Sequence, residues 1–243
     1  MTEKMTPYGR LIVGKKEELF AQAVHLAADQ AKRTADLRFS WAFTGGSTPS
    51  DWYKWCVSTK ALPSELLGRA DFTVSDERYV PLSSDQSNFG NAERQLLEPL
   101  KVDISHRIPW PVAMAPVDAA AEYSGMWAAR FGVDRAYDIC FLGMGDDAHT
   151  ASVFPGSILL REPVKTLFTA VEVPGKGWRL TITPAGLKTC GLIVVMTLGA
   201  GKAEALARVM NGPFDPLSTP SQLLKESAAK VVWLVDEAAA SKL

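Results

Sequence analysis

Cysteine and histidine are scarce in this sequence: three of each occur among 243 residues, and neither type clusters. Cys56, Cys140 and Cys190 are odd in number, far apart and each set among apolar residues. That excludes a disulfide framework and any zinc-ligand spacing, and implies reduced core thiols in a reducing compartment. No stretch approaches the roughly 18 uninterrupted apolar residues of a membrane span. The first seven residues, Met1-Thr2-Glu3-Lys4-Met5-Thr6-Pro7, hold no apolar signal core. Lysine plus arginine (26) nearly balances aspartate plus glutamate (27), with no basic block, so nucleic acid and anionic membranes are excluded as general partners. Any anionic ligand must be met by a local constellation. The expected location is the cytoplasm. Ser241-Lys242-Leu243 reads as a peroxisome-type address on the condition that it is a free C-terminus in a eukaryote.

Motif absences narrow the chemistry further. There is no Gly-x-Ser-x-Gly elbow for a serine nucleophile, and Ser152 lies inside the helix expected after the loop that carries His149. Gly199-Ala200-Gly201-Lys202 lacks the four-residue gap of a Walker loop, which argues against ATP. The first core strand is expected by about residue 38, leaving no room for an added DNA-binding helix-turn-helix.

What is present is an alternation of strand and helix signals without repeats or linkers. A chain of this length buries roughly 70–75% of its unfolded surface and needs no staple. Residues 15–33 place Leu19, Phe20, Ala23, Val24 and Ala27 on one helical face. Further helices are expected over 51–58, 91–97, 119–131 and 203–210, and strands over 38–43, 71–74, 137–142, 166–171, 179–183, 191–198 and 230–235. The pattern predicts one α/β domain over 1–243, a mostly parallel, doubly wound sheet with helices on both faces.

Three stretches at predicted strand ends carry candidate chemistry, since ligands of open α/β sheets bind at the strands' carboxyl ends. Thr44-Gly45-Gly46-Ser47-Thr48-Pro49 joins two glycines and two hydroxyls to a helix start, with Thr48 suited to the N-cap, a recurrent way to hold a phosphate or an oxyanion. Ser75-Asp76-Glu77-Arg78 offers a guanidinium as anion ligand, the alternative being that Arg78 pairs with Asp76 or Glu77 across the turn. Asn88 either caps the next helix or reaches the ligand. Residues 143–156 set Asp147 two positions before His149, a candidate for proton transfer, after Gly143 and Gly145. His25 reads as a bystander on its helix, and His106 as structural or exposed. Lys176 and Arg179, in a Gly/Pro-rich loop, are either a second anion grip or ordinary solvated charges.

In order and spacing, these stretches, with Arg179-Leu180-Thr181 and residues 199–205, resemble the 6-phosphogluconolactonase family over roughly residues 10–235. The resemblance implies a Rossmann-like fold and hydrolysis of 6-phospho-D-glucono-1,5-lactone to 6-phosphogluconate, with no metal and no organic cofactor. It also implies roles. His149 deprotonates the attacking water and Asp147 orients the site, while Arg78, Ser47, Lys176 and Arg179 anchor the phosphate or nearby hydroxyls. Oxyanion donors are sought in the amides of Gly45 and Gly46. Thr48, Asp76 and Asn88 complete the expected binding set, and Lys202 is an alternative phosphate ligand. One departure stands out: the family's Asp-Gly-His is Asp147-Ala148-His149 here. If that glycine takes positive φ, alanine costs about 1 kcal/mol and can shift His149; at negative φ the change is nearly silent. The nearest rival is a glucosamine-6-phosphate deaminase or aldose–ketose isomerase, whose Asp-Glu-Tyr contrasts with Asp76-Glu77-Arg78. A catalytically silent sugar-phosphate sensor is the other.

Overall fold

The computed structural model describes residues 1–34, 36–162 and 164–243. In chain order it comprises β1 (Thr2–Thr6), β2 (Gly9–Gly14), α1 (Lys16–Arg33), β3 (Phe39–Phe43), α2 (Ser47–Thr59), α3 (Ser64–Arg69), β4 (Ala70–Val74) and β5 (Asp76–Arg78). There follow α4 (Asn88–Ala92), α5 (Pro116–Phe131), β6 (Ile139–Gly143), α6 (Ile158–Arg161), β7 (Phe168–Val173), β8 (Gly177–Ile182), α7 (Pro184–Thr189), β9 (Leu192–Thr197), α8 (Ala203–Asn211) and β10 (Val231–Asp236).

The expected doubly wound sheet is present, with strand order β1-β2-β10-β9-β6-β3-β4. Every pairing in it is parallel except β1 with β2. Its central strands are apolar on both faces because helices cover both; β9 and all but the last residue of β10 are buried throughout. On one side Trp41, Phe43, Trp52, Phe72 and Phe141 form a continuous aromatic cluster. A second group packs Trp110 on Tyr123 at 3.8 Å between ring centroids, with Trp127, Tyr137 and Phe168 around it. Helix α1 buries Leu19, Phe20, Ala23, Val24, Ala27 and Ala31, the predicted face extended by one turn.

Three expectations need correction. The first core strand is β2, not one near residue 38: Leu11 pairs with Trp233, a partner more than two hundred positions away that no local pattern announces. Asp76-Glu77-Arg78 is not a turn but a short strand in a second, antiparallel sheet of order β5-β8-β7. Ser75 joins the two sheets, donating its amide to Phe43 O at 2.7 Å and accepting from Ile182 N at 2.9 Å. Finally, Ser152 is not helical: residues 150–156 turn through an isolated bridge from Thr150 to Val153, and the helix begins only at Ile158.

The strands that carry the two glycine loops, β3 and β6, pair directly over only two residue pairs, Trp41 with Ile139 and Ala42 with Cys140. Their register is reinforced from below by side chains. Asp138 Oδ2 accepts from the Ser40 amide (2.8 Å) and hydroxyl (2.9 Å), while the Ser40 hydroxyl accepts from the Asp138 amide (2.9 Å). Both residues are buried, and Arg135 caps the other carboxylate oxygen at 3.1 Å. Replacing Asp138 with alanine strands the buried Ser40 amide, so Asp138→Ala is expected to lose about 2–3 kcal/mol of unfolding free energy. Urea denaturation checks this; an unchanged midpoint counters it.

Candidate active site

Because β3, β4, β6 and β9 run parallel, the loops leaving them converge on one edge of the sheet. There they enclose a cleft of about 190 Å³ lined by Thr44, Gly45, Gly46, Asp76, Arg78, Asn88, residues 143–145, His149, Ala151 and Lys202. A neighbouring chamber of about 320 Å³ shares Thr44, Gly45, Gly46, Arg78 and Asn88, and adds Ser47, Ser50, Tyr53, Asp85, Asn91 and Gln95. Both linings are mostly polar.

The loop after β6 folds back on itself. Gly145 N donates to His149 O (2.9 Å), Ala148 N to Gly145 O (3.1 Å), and Thr150 Oγ1 to Gly143 O (3.0 Å). This brings the His149 ring to Asp147, with Nδ1 2.5 Å from Asp147 Oδ1, while the same oxygen accepts the His149 amide at 3.0 Å. Gly145 is needed for close approach, not for an unusual φ: a Cβ there lies 2.1 Å from His149 Nδ1 and 2.5 Å from Asp147 Oδ1. The other ring nitrogen, Nε2, has no protein partner among the described residues. Phe154 stacks on the imidazole at 4.1 Å between centroids and is itself packed against Val153, Leu159, Val171 and Val173.

Partial burial raises the Asp147 pKa, but hydrogen bonds and charge from His149 outweigh it and hold the carboxyl below its ordinary value of 3.8. Asp147 is therefore ionised near neutral pH and accepts the Nδ1 proton, which leaves Nε2 as the basic nitrogen. A carboxyl with a depressed folded pKa stabilises the fold above its unfolded pKa, and that contribution is lost as pH falls through the lower folded value.

The double-glycine turn is shaped by Gly46, whose φ of 111° and ψ of 178° favour glycine. The N-cap of α2 is Gly46 and not Thr48, so the helix starts at Ser47 and Thr48 lines neither chamber. Neither Gly45 N nor Gly46 N donates to a protein group among the described residues. Arg78 forms no ion pair with Asp76 or Glu77 among the described residues; its Nη1 donates to Gln86 O at 2.8 Å at the cleft wall. Asp76 accepts from Ser152 Oγ at 2.6 Å. That bond and near-complete burial commit the Ser152 hydroxyl away from the open cleft.

Lys176 and Arg179 line neither chamber. Lys176 Nζ stands over the Phe154 ring, 5.3 Å from its centroid. Arg179 is paired in register with Arg78 but turns its guanidinium to the carbonyls of Lys176 (2.5 Å) and Trp178 (2.9 Å). Burial first, then the charge of Arg78, lower its pKa. Lys202 instead supplies the second cation of the cleft, its position explained by the turn that follows β9. Ser50, Asn91 and Gln95 were not legible, because only the packing of α2 against the helical run after Ser87 brings them to the chamber. Of the other histidines, His106 is structural, its Nδ1 2.9 Å from Ala70 O.

A family model described as glucosamine-6-phosphate isomerases/6-phosphogluconolactonase matches residues 14–233. A 6-phosphogluconolactonase of Bos taurus is 32% identical over 248 residues, covering 98% of this chain and 95% of that protein. One from Rhizobium meliloti is 34% identical over 215 residues, covering 85% and 88%. Among solved structures, the 6-phosphogluconolactonase from Trypanosoma cruzi matches with a TM-score of 0.82 at 24% identity, covering 100% of this chain and 98% of that one, a likeness of fold.

The alanine between Asp147 and His149 has φ 65°, so the conformation that favours glycine is adopted by a residue with a side chain. That costs an L-residue about 1–2 kcal/mol. Ala148 is fully buried, however, and a buried methyl returns roughly 0.8 kcal/mol. Its carbonyl is also held by Ser221, through the amide (2.9 Å) and the hydroxyl (2.8 Å). With a glycine's added chain entropy of about 0.5–1 kcal/mol also lost on folding, the terms nearly cancel. Ala148→Gly is expected to change unfolding free energy by less than about 1 kcal/mol in either direction, read from chemical denaturation.

Proposed function

This chain belongs to the glucosamine-6-phosphate isomerase/6-phosphogluconolactonase family, and we propose that it hydrolyses 6-phospho-D-glucono-1,5-lactone to 6-phospho-D-gluconate with His149 as the base. This is the lactone step of the oxidative pentose phosphate pathway. The observation that carries the mechanism is the Asp147–His149 contact, which commits Nδ1 and leaves Nε2 free at a polar cleft.

A lactone is an activated ester, so water needs one well-placed base and little else. His149 Nε2 takes a proton from water as the oxygen adds to C1, and Asp147 steadies the resulting imidazolium. The carbonyl oxygen becomes an anion, for which the free amides of Gly45 and Gly46 are fixed donors. As the intermediate collapses, the C1–ring oxygen bond breaks and the imidazolium returns its proton to the departing ring oxygen. Arg78 and Lys202, the two cations that line the cleft, hold the phosphate, with Asn88, Asp76 and Ser47 toward the hydroxyls. Lys176 and Arg179 stand outside this set, at its rim. We place the reaction in the cytoplasm, in keeping with three unpaired, buried thiols. None of the helices is long and apolar enough to cross a membrane among the described residues.

In a coupled assay that generates the lactone and follows its loss, His149→Ala is expected to lower kcat about 100-fold or more. A mutant as fast as the parent removes the mechanism, and ammonia released from glucosamine 6-phosphate by the parent would favour the deaminase branch of the family. Gly145→Ala places a methyl where Asp147 and His149 meet, and is expected to reduce kcat by at least about 10-fold. Circular dichroism should stay unchanged in both variants.

A further inference from the structure

Strand β5 is three residues long, and its side chains alternate: Asp76 and Arg78 line the cleft, whereas Glu77 points the other way. Glu77 is fully buried, and its carboxylate accepts four hydrogen bonds. Oε1 takes the amides of Arg78 (2.8 Å) and Asn88 (2.7 Å), and Oε2 takes the Ser87 hydroxyl (2.9 Å) and the Phe89 amide (2.8 Å). No cation pairs with it among the described residues. Burial pushes its pKa up while these four donors oppose the shift. A buried carboxylate is costly, and core packing alone gives no reason for one here.

The donors explain what it does. Arg78 and Asn88 are the cleft residues on either side of the β5–α4 connection, and Glu77 grips both backbones through one oxygen. Asn88 in turn donates Nδ2 to Asp76 O at 2.8 Å and packs its Oδ1 against Gly45, where an added Cβ would lie 1.8 Å away. That Oδ1 is buried and has no partner among the described residues, so the side chain is held by its Nδ2 bond and by the placement of its backbone. The backbone placement comes from the start of α4, which Glu77 clamps.

We propose that Glu77 is a positioning residue for the lactonase reaction: one buried carboxylate sets Arg78, Asn88 and, through Asn88, the double-glycine turn against the substrate. It touches no substrate. The inference rests on the functional reading above and names how the binding half of that site is built. In Glu77→Gln, one oxygen is exchanged for an NH₂ group that cannot accept, so two of the four donors lose their acceptor.

The test compares Glu77→Gln with Leu96→Ala, a core truncation in the helical turn Glu93–Leu97 that leaves all four bonds intact. Glu77→Gln is expected to raise KM for the lactone about tenfold, to lower kcat as well through the double-glycine turn, and to speed hydrogen exchange at the Asn88 and Phe89 amides. Leu96→Ala is expected to lower Tm with KM unchanged. An unchanged KM in folded Glu77→Gln, or equal KM changes in both variants, overturns the proposal. Should Glu77→Gln fail to fold, Ser87→Ala, which removes one of the four donors together with the α4 N-cap bond from Gly90 N, decides in its place when read with hydrogen exchange at the Asn88 and Phe89 amides. A KM raised about threefold supports the proposal and a parental KM refutes it. A parent without lactonase activity would remove the functional reading, whereas an active parent with an indifferent Glu77→Gln removes this inference alone.

Discussion

Two parallel strands that pair over only two residue pairs have to deliver their loops to the same point, and the Asp138–Ser40 clamp holds them to it. A one-residue slip of β6 against β3 would turn every side chain of one strand to the opposite face and move His149 away from the double-glycine turn. The clamp sits at the amino ends of the strands, opposite the chemistry. It therefore sets register without adding charge to the cleft, and the aromatic packing of Trp41, Phe43 and Phe141 above it resists sliding.

From that fixed frame the site is assembled by short-range bonds that each commit a group not needed for chemistry. Asp147 takes Nδ1 of His149 and leaves Nε2; Ser152 takes one oxygen of Asp76; Glu77 takes backbone amides and leaves the side chains of Arg78 and Asn88 in the cleft. The loop between Gly143 and Gly156 is held from outside as well, by Arg208 on the Asp146 carbonyl and Ser221 on that of Ala148. Such external ties are how a strained φ at Ala148 persists. They also account for an imidazole that keeps its orientation with a face of Phe154 against it.

The second sheet changes the meaning of one motif. Asp76-Glu77-Arg78 has the composition of an exposed turn, and as a turn the arginine would pair with its acidic neighbours. Pairing with β8 makes it a strand, and alternation then separates the two acids. The same pairing sets Arg179 opposite Arg78, and like charges repel; Arg179 turns to backbone carbonyls. Loop composition made Lys176 and Arg179 plausible anion ligands; in the fold neither lines the two chambers, and Arg179 is the one placed by cross-strand pairing.

Sequence alone determined the parallel α/β frame, the amphipathic first helix, the two glycine loops and the candidacy of His149 and Asp147. Each rests on a period, a strand end or a spacing of a few residues, and such information is local. Tertiary structure alone decided the rest: the place of β2 beside β10, the second sheet, the presence of Lys202 in the cleft wall, the chamber walled by Ser50, Asn91 and Gln95, and the burial of Glu77. Those depend on pairings between distant segments, where the free energy lies in contacts that a linear pattern does not encode. The sign of φ at Ala148 belongs to the same group, because neighbours on α8 and beyond, not its own side chain, hold that turn.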